Sequence, residues 1–333
     1  LTKGLSAAAV QSRKAGLPVA REVNHLVTGS LFMTITNANF DLDAIRARTH
    51  EVLSALRALR AQLPADATLP EAALWDSGDE AAWAEKEHEI GVLSTKNEDV
   101  RSLRELVVYG LKGLSAYSKH ANVLLRDDEE VDAFIQQALA ATLDDSLSAD
   151  QLVQLVLDTG AAGVKGMALL DAANTSRYGD PEITQVDIGV RSRPGILVSG
   201  HDLRDLEMLL EQSRDAGVDI YTHSEMLPAQ YYPFFKQYPH FAGNYGNAWW
   251  QQKEEFDSFN GPILMTTNCI VPPKASYQHR LFTTGMAGWP GCPHIPGGIG
   301  EEKDFSTVIR MAKTCPPPTQ IEQGTITGGF AHA

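Results

Sequence analysis

The sequence predicts an α-helical bundle followed by an α/β domain with a Rossmann-like parallel sheet. Hydrophobic residues recur at helical spacing in the first half of the chain, whereas short β-rich runs alternate with helical stretches from residue 191. The 333 residues are enough for two domains that each bury a core. We therefore place a helical bundle domain at residues 1–175 and an α/β domain at residues 191–333.

The helical assignment rests on two apolar stripes. Each stripe gathers its members on one helix face, and the two sets are Ile45, Val52, Leu56, Leu59 and Leu63, and Leu103, Leu106, Val107 and Leu114. Breaks are expected at 62–73, which contains Pro64, Asp66 and Pro70, and at the acidic run 126–130, which we interpret as a helix start. The similarity of TKGLSA (2–7) to LKGLSA (111–116) suggests two related three-helix bundles.

In the second part, parallel strands are predicted at about 195–200, 218–222 and 262–267. A helix over 202–217 should pack Leu203, Leu206 and Leu210 on the sheet. The carboxyl ends of such strands open into one crevice, which is where α/β folds bind ligands.

Three metal-competent side chains follow these strands. His201 comes after GILVSG, Glu225 after VDIYTH and Cys269 after GPILMTTN. Imidazole, carboxylate and thiolate together suit iron or zinc better than the hard cations Mg²⁺ and Ca²⁺. Each residue alone has a plainer interpretation: a loop or core histidine, a solvated glutamate and a small buried hydrophobe. His223 is a candidate for orienting this site, and a surface or core role is an equal alternative.

Several runs of the chain closely resemble the hybrid cluster proteins, also called prismane proteins or hydroxylamine reductases. They include SGHDLRDLEMLLEQ (199–212), VDIYTHSEMLPAQYYP (218–233), HFAGNYGNAWWQQKEEF (240–256), GPILMTTNCIVPP (261–273) and ALLDAANTSRYGDPEITQVDIGV (168–190). The resemblance covers nearly the whole chain. It implies that His201, Glu225 and Cys269 ligate an iron–sulfur–oxygen hybrid cluster.

The chain also departs from that family. Its first residues lack the family's Cys-rich segment, so a conventional N-terminal iron–sulfur cluster is not supported. The family's further Cys, Glu and Lys ligands come from a C-terminal domain that has no counterpart here, and Cys292 and Cys315 lack ligand spacing. We expect that both ends are missing, that the ligand set is incomplete in this chain, and that a C-terminal portion in the same chain or a partner chain completes it.

The resemblance implies an oxidoreductase that reduces a small N-oxygenated substrate, hydroxylamine to ammonia or nitric oxide, with electrons from a donor protein or reductase. His201 and Glu225 would bind the iron nearest the substrate, and the Cys269 thiolate would bind the cluster itself. A non-catalytic scaffold or half-site subunit that keeps the fold without a cluster is the alternative. A zinc hydrolase that uses the same three residues is a third interpretation, against which the resemblance argues.

Composition excludes some partners. The net charge of −14, with Lys and Arg dispersed along the chain, disfavours nucleic acid. Charged residues interrupt every apolar run before the ~18 to 20 residues that span a bilayer, so no membrane helix is expected. Three cysteines without framework spacing indicate a reducing compartment, and a cytoplasmic location is expected.

Overall fold

A computed structural model describes residues 1–332, without the side chain of His332. The chain divides into two compact units. The first unit comprises 1–34, 42–122 and 126–170, and the second comprises 35–41, 123–125 and the chain from 171 onward.

The first unit is helical, and among the described residues no strand precedes residue 184. The helices are α1 (Thr2–Lys14), α2 (Arg21–Met33), α3 (Leu42–Arg60), α4 (Glu71–Leu74), α5 (Glu80–Ile90), α6 (Glu98–Val123), α7 (Glu129–Ala141) and α8 (Ala149–Tyr178), the last of which continues into the second unit. Helix α1 packs against α2, α3, α4 and α7, and its Leu5, Ala8 and Ala9 are fully buried. The acidic run at 126–130 starts α7 as predicted, because the Asp128 side chain accepts hydrogen bonds from the backbone N–H groups of Glu130 and Val131.

The predicted stripes are confirmed only in part. Val52, Leu56 and Leu59 of α3 are buried, as are Val107 and Leu114 of α6. Leu106 instead has 53% of its surface exposed. Successive residues of a helix point about 100° apart. Leu106 therefore lies outside the helix face on which Val107 and Leu114 lie.

Helix α8 has the length and composition of a membrane span, although Asp158 and Lys165 interrupt its apolar sequence. Of its most apolar window, 22% is buried. One such helix, identified by length and composition alone, is weak support for a membrane span. The expectation of no membrane helix stays a prediction.

The second unit contains a six-stranded sheet of parallel pairs in the order β4-β3-β2-β5-β6-β7. Its strands are β2 (Gly195–Ser199), β3 (Asp219–Thr222), β4 (Phe241–Asn244), β5 (Ile263–Met265), β6 (Leu281–Thr284) and β7 (His294–Ile295). β1 (Thr184–Asp187) pairs with β8 (Thr325–Gly328) in a separate antiparallel ribbon. The three predicted strands correspond to β2, β3 and β5, so the fold class of helices followed by a parallel α/β sheet is confirmed.

Helices cover both faces of this sheet, as a parallel sheet requires. The helices are α9 (Leu203–Ser213), α10 (Gln252–Phe259), α11 (Ala275–Gln278) and α12 (Ser306–Ala312). Leu206 and Leu210 of α9 pack on one face with Ile196 and Val198, whereas Phe256 and Phe259 of α10 pack on the other with Leu197. α9 ends at Ser213, four residues before the predicted end, and the turn that follows contains Gly217 at φ +74°.

Candidate metal-binding site

The candidate site lies at the carboxyl edge of the sheet, beside its central strand β2. The chain passes from β2 to β3 on one side and returns to β5 on the other, so the strand order changes direction at β2. Open α/β sheets bind ligands at such a switch point.

Strand register brings the two segments that carry His201 and Glu225 off the sheet as neighbours. β2 and β3 pair with Val198 opposite Thr222, a sequence offset of 24 that also relates His201 to Glu225. Neighbouring strands are about 4.8 Å apart, so these two segments leave the sheet as neighbours. The residue just before each of the two predicted residues has a positive φ, Gly200 at +99° and Ser224 at +52°. Both segments therefore turn away from the strand direction at the same level.

Thr267 positions His201 from the opposite side. β2 and β5 pair with Leu197 opposite Ile263, an offset of 66 that relates His201 to Thr267. His201 Nδ1 lies 2.8 Å from Thr267 Oγ1, which makes Nε2 the ring nitrogen suited to bind a metal. Part of His201 is exposed to solvent. The protein packed around its ring still removes water from the imidazole, and this desolvation lowers the pKa of His201, whereas Glu225 and a backbone hydrogen bond at Asn268 act to raise it. The lowered pKa favours the neutral imidazole that a metal requires.

Glu225 is half-buried at the start of a 3₁₀ helix over Ser224–Tyr231. The Ser224 hydroxyl donates a hydrogen bond of 2.6 Å to its carboxyl Oε2. Its negative charge acts to raise the pKa of both His201 and Cys269. Glu225 is therefore electrostatically coupled to the other two predicted residues.

Cys269 is half-buried after β5. Asn268 Nδ2 lies 3.7 Å from its Sγ, and Gln252 Nε2 donates a 2.6 Å hydrogen bond to its carbonyl. Burial, and secondarily the charge of Glu225, raise the pKa of the thiol to about 11. A bound metal reverses this preference and deprotonates a coordinating thiol, so an imidazole, a carboxylate and a thiol at this edge fit an iron group.

Within residues 1–332, the structure gathers no group of three or more His, Cys, Asp or Glu side chains that could hold a single ion. His201, Glu225 and Cys269 thus share one sheet edge without forming a mononuclear site. A cluster of several metals spreads its protein ligands over different ions. The assignment of these three residues as cluster ligands stays a prediction.

The other cysteines lie in different surroundings. Cys292 Sγ lies 3.7 Å from the carbonyl of Gln278, and burial raises the pKa of this thiol to about 11. Cys315 Sγ lies 3.3 Å from the carbonyl of Met311. All three cysteines are free thiols.

The sequence analysis missed several polar residues at this edge. The position of Thr267 beside His201 could have been predicted, because the assignment of β2 and β5 fixes the offset of 66 residues between these two residues. Two buried groups gave no sequence signal: Glu255, which contacts His223, and the ion pair of Asp205 with Lys303 at 2.6 Å. Burial, and then the neighbouring Asp202, raise the pKa of Asp205 against the opposing effects of Lys303 and Thr284.

Comparison with known proteins identifies relatives over the full sequence. The profile of the Prismane/CO dehydrogenase family matches residues 1–330. Hydroxylamine reductase from Desulfovibrio desulfuricans is 60% identical over 332 residues, and hydroxylamine reductase 2 from Clostridium acetobutylicum is 57% identical over 356. These alignments cover 100% of this chain and 61% and 63% of the two relatives, so the chain spans about three fifths of their length.

Hydroxylamine reductase from Clostridium perfringens is also 57% identical, with 61% of its length covered. A solved structure of alpha subunits of acetyl-CoA synthase/carbon monoxide dehydrogenase aligns with 98% of this chain and 49% of its own, at a TM-score of 0.45 and 14% identity. That likeness is too distant to decide the fold.

Proposed function

Because the chain belongs to the Prismane/CO dehydrogenase family, we propose that it forms the part of a reductase that supplies three protein ligands to an iron–sulfur–oxygen cluster. The observation that carries this proposal is the common position of His201, Glu225 and Cys269 after adjacent strands β2, β3 and β5. Zinc hydrolysis is not favoured, since these three side chains form no single-ion group.

The proposed substrate is hydroxylamine. Three relatives that are 57 to 60% identical carry the name hydroxylamine reductase. Reduction breaks the N–O bond, takes up two electrons and two protons, and yields ammonia and water. An electron-donor protein supplies the electrons, and nitric oxide is the second candidate substrate of the same chemical class.

The residues of this chain would bind the cluster and orient its ligands. When bound, the cluster would supply electrons and a Lewis-acidic iron to the substrate. His201 would bind iron through Nε2, because Thr267 contacts its Nδ1. Ser224 would orient the Glu225 carboxylate through its hydrogen bond. Cys269 would ligate as a thiolate, having lost its proton.

Three ligands are fewer than a cluster of several irons needs. We therefore propose that the remaining ligands come from sequence beyond these 333 residues, in the same polypeptide or in a partner chain. The 333-residue chain alone would hold no intact cluster and would have negligible hydroxylamine reductase activity. Full iron loading and turnover by that chain alone would contradict this and would bring Cys292 and Cys315 back as ligands.

The proposal is tested in the protein at its full natural length, purified without oxygen. Cys269→Ser should lose most of its iron and acid-labile sulfide and most of its hydroxylamine reductase activity. Cys292→Ser is the matched control, because that thiol is also half-buried with its pKa raised to about 11. Equal iron and activity in the two variants would overturn the role of Cys269, and an iron-free native protein would favour the scaffold interpretation.

A further inference from the structure

A buried hydrogen-bonded chain of three side chains lies directly beneath the candidate site. Ser199 Oγ lies 3.2 Å from His223 Nδ1, and His223 Nε2 lies 2.8 Å from Glu255 Oε2. Ser199 and His223 are 0% exposed and Glu255 is 7% exposed. One neutral tautomer satisfies both contacts, with Nε2–H donating to Glu255 and the Ser199 hydroxyl donating to Nδ1.

This chain of contacts supports both segments that carry predicted ligands. Ser199 precedes His201 by two residues, and His223 precedes Glu225 by two residues. The register of β2 and β3 ends with Val198 opposite Thr222, and Ser199 and His223 are the next residue of each segment. The Ser199–His223 contact therefore ties the two strand ends together one step below the level of the ligands.

Glu255 anchors this contact to the body of the unit. It lies on α10, where its Oε1 accepts a hydrogen bond of 3.0 Å from the backbone N–H of Asn247. Gly246 packs so closely that a Cβ there would lie 2.6 Å from Glu255 Oε2. The His223 ring also meets Phe256 edge-on at 4.9 Å between centroids. The imidazole is thus fixed on three sides.

Polar groups in such a position are costly unless every contact is made. An apolar side chain would fill the same space without that requirement. We propose that Ser199, His223 and Glu255 form a positioning unit that sets the placement of the His201 imidazole and the Glu225 carboxylate on iron. The inference rests on the proposed function, and the unit acts through the geometry of its contacts.

The test uses the anaerobically purified holoprotein at full length. His223→Phe keeps a ring against Phe256 and removes both hydrogen bonds, and Glu255→Leu removes the anchor. Both should change the electron paramagnetic resonance spectrum of the cluster and lower kcat by about 10-fold, the low end of the loss that follows removal of a direct hydrogen-bond partner of a metal ligand. Glu255→Gln keeps one acceptor for Nε2–H but loses the acceptor that the backbone N–H of Asn247 uses, so its spectrum should lie closer to the native one than that of Glu255→Leu does.

His240→Phe is the matched control. His240 is also a buried histidine, 4% exposed, with Nε2 3.0 Å from Ser213 Oγ, but it precedes β4 at the opposite edge of the sheet. The His240→Phe variant should have a lower thermal midpoint of unfolding and an unchanged cluster spectrum. If His223→Phe does not fold, Ser199→Ala replaces it, since it removes one hydroxyl and should shift the spectrum in the same direction.

The outcomes separate this inference from the proposed function. His201→Ala that keeps its iron and a native spectrum would overturn the proposed ligand set. A different result overturns only the positioning unit: His201→Ala loses the cluster signal, but His223→Phe keeps the native spectrum, as His240→Phe does. Ser199→Ala is read in the same way where it replaces His223→Phe. A changed spectrum in Glu255→Gln equal to that of Glu255→Leu would also contradict it.

Discussion

Gly200 shows how closely the strand ends approach one another at the site. Its φ is +99°, which favours glycine. A Cβ at this position would lie 2.5 Å from Thr266 Oγ1 and 2.6 Å from the backbone nitrogen of Thr267. The segment that carries His201 can therefore lie against the end of β5 only when residue 200 has no side chain.

Gly200→Ala should lower the free energy of unfolding by more than the roughly 1 to 2 kcal/mol that a left-handed conformation costs an alanine. The excess arises because the new methyl group would collide with backbone that cannot easily move. Gly217→Ala is the control, with φ +74° and no atom within 4 Å of the added Cβ. Chemical denaturation of both variants measures the difference, and equal losses would show that the close approach contributes nothing.

The sequence predicted which residue types follow the strands, but it did not predict the side chains that contact them. His201, Glu225 and Cys269 follow apolar runs that are visible in the sequence. Glu255 contacts His223 across 32 residues, and Lys303 contacts Asp205 across 98. Such contacts depend on how helices and loops return to the sheet, which local sequence patterns do not encode.

Among the elements, α7 carries an unusual buried acid. Asp132 is 3% exposed, and desolvation raises its pKa to about 7, with the negative charges of Asp127 and Glu129 acting in the same direction against Arg13. An acid whose pKa is higher in the folded than in the unfolded state makes folding less favourable as pH rises between the two values, here from about 4 to about 7.

Asp132→Asn should therefore stabilise the protein more at pH 8 than at pH 5. The amide cannot ionise, so the variant avoids a cost that grows with pH to at most about 4 kcal/mol. Thermal midpoints of the native protein and the variant at both pH values measure the effect. A gain that is the same at pH 5 and pH 8 would mean that Asp132 does not titrate as its burial implies.

Three of the strands were recognisable in the sequence. β2, β3 and β5 contain the adjacent hydrophobic residues Ile-Leu-Val, Ile-Tyr and Ile-Leu-Met, and every residue in these strands is buried. β4, β6 and β7 were not predicted. β7 has only two residues, and β4 contains Gly243 at φ +151° within an irregular register, so neither shows a clear strand pattern.

For the whole molecule, a change of periodicity near residue 190 was enough to predict helices followed by a parallel sheet. The placement of the site at the sheet edge followed from the same rule, because parallel strands end together. The assignment of function needed more: motif resemblance, a family profile over residues 1–330 and relatives of which this chain covers about three fifths.

The carboxyl edge of this sheet is the iron-binding edge that we propose. Anomalous diffraction at the iron absorption edge, from crystals of the full-length protein purified without oxygen, tests this proposal most directly. We predict iron peaks about 2.0 to 2.3 Å from His201 Nε2, a carboxylate oxygen of Glu225 and Cys269 Sγ, the range of bonds from zinc to the same ligand atoms. Iron bound at Cys292 or Cys315 instead, or no iron at this edge in an active protein, would contradict the account.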